Sequence, residues 1–210
     1  DGLCLGLERR CDHVFDCPDG SDEDQCKPLE IDEESYKKTF PPFLRSHKTE
    51  VRIELKIDAI SKIDELTNTF KANVKIALKW IDNRIIFNNL EKNANFLDRF
   101  WQDQIWLPPL YFRNTEERVP ILTGKELHVE VIRQSEPEKN DVSRINEGYQ
   151  FSGDKSELHL SAKDVNYYHC VFELSWFPFD VQHCSIDIKI PKHLRNYITL
   201  IPNRVEYKGK

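Results

Sequence analysis

The chain has 210 residues, enough for one large domain or for one domain beside a small module. Hydrophobic residues make up 39% and charged residues 31%, which supports a real core and argues against wholesale disorder. The formal net charge of −6 argues against a nucleic-acid binder, and no apolar run is long enough to span a bilayer. No signal peptide is visible and there is no Met, so the sequence reads as a processed product or a piece of something longer.

Residues 1–26 are Cys-rich, acidic and nearly free of periodicity. Such a segment cannot build an apolar core and must be stapled. Residues 27–50 form a connection, in which residues 31–40 read as a short helix stopped by Pro41 and Pro42. From Val51 the pattern changes. Val51, Ile53, Leu55 and Ile57 alternate with Arg52, Glu54 and Lys56, which is a half-buried strand. Residues 70–80, 127–132, 158–160, 167–174, 184–190 and 198–205 continue the strand pattern. Many strands at turn-punctuated spacing indicate a mainly β sandwich or barrel over residues 51–210. The polar segment 134–157 reads as a long exposed hairpin loop or insertion.

The cysteines form a cluster (Cys4, Cys11, Cys17, Cys26) and a pair (Cys170, Cys184). Zinc clusters set their cysteines closer together, so an oxidising, extracellular setting fits better. Between positions 12 and 34 there are ten acidic residues and one basic one. A divalent cation relieves that self-repulsion, and Ca²⁺ takes roughly six to eight oxygen ligands. The order Cys11-Asp12, Asp16-Cys17, Asp19-Gly20-Ser21-Asp22-Glu23 and Cys26 resembles the C-terminal part of a low-density-lipoprotein-receptor class A module. The resemblance implies Ca²⁺ held by Asp12, Asp16, Asp22 and Glu23 with the carbonyls of Arg9 and Val14. It gives Asp19 and Ser21 structural roles, pairs Cys11 with Cys26, and leaves the partners of Cys4 and Cys17 upstream of residue 1.

The second motif runs from Cys170 through Trp176-Phe177-Pro178-Phe179-Asp180 and Gln182 to Cys184, with 13 residues between the cysteines. Closing such a loop contributes about 3 kcal/mol in the chain-entropy model. Two aromatics and a charge at the loop tip point to contact with another surface. The spacing and the ending resemble the Cys-loop (pentameric ligand-gated ion channel) receptors. Trp80-x-Asp82-x-Arg84, Ile105-Trp106-Leu107-Pro108 with Asn114, and the turn at Ile60 to Glu65 carry the likeness over about residues 29–207.

That resemblance implies a twisted immunoglobulin-like β-sandwich headed by an N-terminal helix, assembled as a homo- or hetero-pentamer on the extracellular face of the plasma membrane. It implies that Phe177, Pro178, Phe179 and Asp180 couple ligand binding to a downstream membrane domain. Pro178 is a cis-proline candidate. Trp80, Asp82 and Arg84 read as fold-holding. Family agonist sites are aromatic boxes that suit cationic amines. Here the resemblance makes Tyr111 one candidate wall, but Lys75 stands where an aromatic occurs in acetylcholine-type members, and Pro109 replaces an Asp. The stretch after Cys184 offers no Trp or Tyr wall, so the small-molecule ligand is unnamed.

His169 and His183 each precede a loop cysteine and read as surface imidazoles, with zinc modulation as the sharper alternative. No catalytic triad, phosphate loop or zinc-protease motif occurs, so the chain reads as not an enzyme. The leading reading is the extracellular ligand-binding region of a neurotransmitter-gated channel-like subunit. The alternative is a secreted or cell-surface binding or adhesion protein that uses the same sandwich without a pore. A third reading makes the class A module the partner-binding element.

Overall fold

The computed structural model describes residues 9, 11, 14–24, 26–42, 47–115, 121, 127–136 and 149–207. In chain order the strands are β1 (Leu29–Ile31), β2 (Thr49–Asp64), β3 (Thr69–Ile81), β4 (Ile85–Asn88), β5 (Asn95–Leu97), β6 (Tyr111–Phe112), β7 (Leu127–Arg133), β8 (Gln150–Ser152), β9 (Ser156–His169), β10 (Ile188–Lys189) and β11 (Ile198–Tyr207). A single helical turn, α1 (Arg99–Gln102), follows β5 and is N-capped by Asp98, whose carboxylate accepts the Trp101 N–H. The sheets have the orders β1-β4-β8, β10-β6 and β11-β2-β3-β9-β7-β5. The fold is mainly β and belongs to the sandwich class.

The chain divides into two compact units. Unit 1 comprises Asp1–Pro42, Trp80–Trp106 and Val129–His159. Its small sheet β1-β4-β8 buries Leu29, Ile85, Phe87 and Phe151, and its larger-sheet strands bury Leu97, Val129, Val131 and Leu158. Arg133 of β7 lies over the Phe151 ring of β8, 5.3 Å from its centroid, so the two layers touch within the unit. Trp80 and Trp106 meet edge-on at 6.2 Å, a favoured aromatic arrangement.

Unit 2 comprises Phe43–Lys79, Leu107–His128 and Leu160–Lys210. β2 pairs antiparallel with β3 and parallel with β11. On β3 the alternation is clean: Phe70, Ala72, Val74, Ile76 and Leu78 are buried, while Lys71, Asn73, Lys75, Ala77 and Lys79 are only half-buried. Tyr168 of β9 stacks on Phe70 at 5.5 Å and meets the edge of Phe112 of β6 at 5.1 Å, joining the two layers of this unit.

Four sequence expectations are corrected. Residues 31–40 are not a helix. They leave β1 at Ile31 and turn twice, because the Asp32 carboxylate takes the Glu34 N–H (3.1 Å) and the Ser35 hydroxyl (2.7 Å). This local side-chain competition is why Asp disfavours helix interiors. The segment 134–157 is not simply an exposed loop, since Phe151 is buried in β8 and residues 153–155 form a 3₁₀ turn. Its charge-rich composition hid one short strand; residues 137–148 lie outside the described residues. Finally, β9 stops at His169 rather than Leu174, and only residues 188–189 of 184–190 pair as a strand.

Candidate functional site

The disulfide loop is built on a turn. β2 ends at Asp64 and β3 starts at Thr69, and the turn between them places Asn68 at φ +52°. Asparagine tolerates that left-handed conformation better than most residues. The Asp64 carboxylate accepts the Thr67 N–H, and that bond, helped by Lys62, holds Asp64 below the usual carboxylate range. The Asn68 carbonyl accepts the Cys170 N–H (2.9 Å) and its side-chain oxygen accepts the Phe172 N–H (3.2 Å). The turn therefore anchors the first arm of the loop.

Cys170 and Cys184 are joined, closing the loop. Its arms do not run as a regular ladder. Instead the Gln182 side-chain amide bridges them, accepting the Glu173 N–H (3.0 Å) and donating to the Glu173 carbonyl (2.9 Å). The same amide donates to Asp180. Ahead of this clamp the Phe177–Pro178 bond is cis, and turn bonds from Phe177 N–H to Leu174 O and from Phe179 N–H to Trp176 O shape the tip. Trp176, Phe177 and Phe179 are 77%, 71% and 89% exposed. An aromatic tip on a clamped loop is an exposed apolar patch, which marks an interaction surface.

Asn114 ties the second arm to the sandwich. Its amide donates to the carbonyls of His169 and Ser185, and its oxygen accepts the Asp187 N–H. Sequence reading named Asn114 only as part of a motif, and it missed Asn68. The Thr67-Asn68-Thr69 run between two alternating strands was the available signal.

Tyr111 is half-buried on β6, opposite Lys189 of β10. It does not line the charged cleft found elsewhere in unit 2. That cleft, about 420 Å³, is lined by Glu54, Lys56, Lys75, His128, Lys163 and Arg204 among others. Lys56 and Lys75 stand directly opposite each other, a like-charge pair that destabilises a sheet. Asp58 offsets it by pairing with Lys75 at 2.7 Å. Glu54 binds Lys79 at 3.0 Å and accepts the Asn203 amide at 2.7 Å, and these bonds hold its carboxyl below the ordinary value.

In the N-terminal segment Cys11 is bonded to Cys26, and Cys17 is a buried free thiol. Burial pushes the Asp22 carboxyl up, but the amides of Asp16 (2.6 Å) and Cys17 (3.2 Å) outweigh it and hold Asp22 below its usual value. Asp16 pairs with Arg9 at 3.4 Å, and Asp19 accepts both the amide and hydroxyl of Ser21. Glu23 and Val14 lie in the same acidic run. Asp12 and Cys4 lie outside the described residues. Among the described residues no three His, Cys, Asp or Glu side chains gather as a metal cluster. The donor set is all oxygen, which is the chemistry Ca²⁺ requires. His169 and His183 are both exposed on the loop arms.

Residues 29–208 match the model of the neurotransmitter-gated ion-channel ligand binding domain. The chain is 22% identical over 174 residues to the acetylcholine receptor subunit alpha-type acr-5 of Caenorhabditis elegans, covering 82% of this chain and 27% of that one. It is 29% identical over 156 residues to the acetylcholine-gated chloride channel subunit acc-1 of the same organism, covering 73% and 28%. It is 24% identical over 155 residues to the gamma-aminobutyric acid receptor subunit beta-4 of Gallus gallus, covering 73% and 27%. The chain thus spans little more than a quarter of the length of these relatives.

Proposed function

The chain belongs to the neurotransmitter-gated ion-channel ligand binding domain family, and from that premise we propose that it is the extracellular ligand-binding region of a channel subunit. Its role is that of a receptor, not an enzyme. The Cys170–Cys184 loop passes ligand binding to a membrane domain downstream, with Phe177, Pro178, Phe179 and Asp180 as the contact. The observation that carries this reading is the tip itself: Trp176, Phe177 and Phe179 are exposed on a loop fixed by a disulfide, by Asn68 and by the Gln182 clamp. A loop held so firmly at its base transmits a displacement instead of absorbing it.

Like subunits assemble around a common axis, as a pentamer, and the small-molecule ligand sits between neighbours with Tyr111 as one wall. The relatives named above are receptors for acetylcholine and for gamma-aminobutyric acid, and those two transmitters are the first probes.

Residues 1–26 form part of a low-density-lipoprotein-receptor class A module, and residues 27–50 connect it to the sandwich of 51–210 while contributing β1 to the small sheet. The family match starts at residue 29, so it takes in most of the connection. Asp12, Asp16, Asp22 and Glu23, with the carbonyls of Arg9 and Val14, hold Ca²⁺. The ion supplies positive charge that neutralises the acidic run and orders its backbone. The spacing of these carboxylates around the Cys11–Cys26 bridge supports this.

Sequencing the parent transcript beyond Lys210 tests the channel reading. Four apolar segments of about 20 residues each are expected. A stop codon directly after this domain would leave only a secreted binding protein.

A further inference from the structure

Unit 2 carries a basic turn in an acidic chain. The whole sequence has 36 Asp and Glu against 30 Lys and Arg, yet residues 188–205 contain no acid at all. After Pro191 the residues Lys192–Leu194 form a 3₁₀ turn, closed by bonds from Leu194 N–H to Pro191 O and from Tyr197 N–H to Leu194 O. Leu194 is 3% exposed and anchors the turn, which leaves Lys192, His193 and Arg195 on the surface.

The start of β2 joins them. β11 runs parallel to β2 and pairs Ile198 with Thr49, so the exposed His47 and Lys48 arrive beside the turn. The Lys48 ammonium donates to the Arg195 carbonyl at 3.1 Å, and the Thr49 N–H donates to the Tyr197 carbonyl at 2.8 Å. Arg195 Nε donates to the Ile190 carbonyl at 3.5 Å. The backbone under these cations is therefore fixed, and a partner does not have to order it. From here β2 runs 16 residues to Asp64, at the base of the disulfide loop. At about 3.3 Å per residue, the basic turn and that base stand roughly 50 Å apart.

An exposed cation that meets a single anion contributes little, because water and salt screen the pair. Several cations that meet one polyanion add together, and they release its counterions. A bilayer is the wrong polyanion, since the turn stands at the end of β2 away from the loop proposed to meet the membrane domain. We propose that His47, Lys48, Lys192, His193 and Arg195 form a docking surface for a sulfated polysaccharide of the cell surface. The choice of a polysaccharide rests on the extracellular reading given above; the basic surface does not.

Calorimetric titration of the full-length protein with a heparin octasaccharide, and with the same octasaccharide fully desulfated, tests the surface. The sulfated sugar is expected to bind and to weaken about tenfold or more between about 50 and 200 mM salt, while the desulfated one does not bind. Lys192→Gln with Arg195→Gln is expected to weaken binding about tenfold and to lower the salt slope by roughly two, one for each cation removed. Lys48→Gln with Lys192→Gln is the second variant, used if the first loses its β-sheet circular dichroism. Lys37→Gln with Lys92→Gln removes the same charge from unit 1 and is expected to leave binding within about twofold. No binding of the sulfated sugar, equal binding of the desulfated one, or equal loss in both kinds of variant would overturn the surface. Phosphatidylserine vesicles are expected not to displace the octasaccharide, and displacement by them would overturn the polysaccharide in favour of a lipid surface. Transmitter-evoked currents play no part in this readout, so the docking surface and the channel reading fail separately.

Discussion

The Tyr36 hydroxyl donates to the Asp82 carboxylate at 3.1 Å while accepting the Trp106 main-chain N–H at 2.7 Å. Asp82 is fully buried, and Arg84 grips it with two side-chain bonds at 2.8 and 2.7 Å. Arg84 also lies over the Tyr36 ring, 4.3 Å from its centroid, and donates to the Phe40 carbonyl. One tyrosine therefore ties the N-terminal segment to two motifs of the sandwich.

Tyr36→Phe strands the Trp106 N–H, a buried donor, and removes a donor from a buried carboxylate. The expected loss is about 1–3 kcal/mol, read as a lower urea midpoint. Burial, then the charge of Asp82, pushes the Tyr36 phenol above its ordinary value. The folded state thus holds this proton longer than the unfolded one. Its stabilisation is complete below about pH 10 and is lost as pH rises beyond it. The variant should show a shallower alkaline decline than the wild type. An equal slope would remove Tyr36 as its source.

Gly153 is a close-approach position. A Cβ there would fall inside the contact distance of the Asp82 and Ile85 carbonyl oxygens, both of them backbone. Gly153→Ala must displace the turn that leads into β9. It is expected to cost about 2–4 kcal/mol, at the severe end for a single methyl group. A thermal midpoint within a degree or so of wild type would contradict the packing described.

Removing the Cys170–Cys184 bond, as Cys170→Ser with Cys184→Ser, is expected to cost about 3 kcal/mol of β-domain stability. If the N-terminal acidic run holds Ca²⁺ as proposed, that binding should be unaffected. Calorimetry of both events in one sample checks this, and equal loss of the two would contradict independent elements.

Acid should weaken the protein for a traceable reason. Asp32, Glu54 and Asp64 are held below the ordinary carboxylate value, by the Ser35 hydroxyl, the Lys79 bond and the Thr67 amide respectively. A depressed folded-state value stabilises above the unfolded value of about 4 and is lost as pH falls through the folded one. Glu54→Gln should therefore flatten the fall in urea midpoint between about pH 5 and pH 3. An unchanged slope would show that Glu54 contributes nothing to acid sensitivity.

Much of this arrangement was legible in the residues. Strict alternation from Phe70 to Trp80 gave β3, because period two has only one structural meaning at that length. The cysteine spacing and the aromatic run gave the loop and its cis-proline. The failures have separate causes. Helix over 31–40 was excluded by Asp32, whose bonds to Glu34 and Ser35 belong to a turn. The strand at 150–152 was hidden by flanking charge, since only Phe151 of that strand is buried. The cavity shared by Leu55, Phe70 and Phe172 was invisible, because those residues meet only through the fold. Periodicity reports one strand's two faces, and it does not report what stands opposite them.

The central claim is that the loop tip couples binding to a pore. Currents from the full-length protein, evoked by acetylcholine or by gamma-aminobutyric acid, test it directly when wild type is compared with Phe177→Ala, Phe179→Ala. The account predicts that the double variant reaches the surface and binds transmitter as wild type does, yet passes little or no current. Wild-type currents from that variant would contradict it.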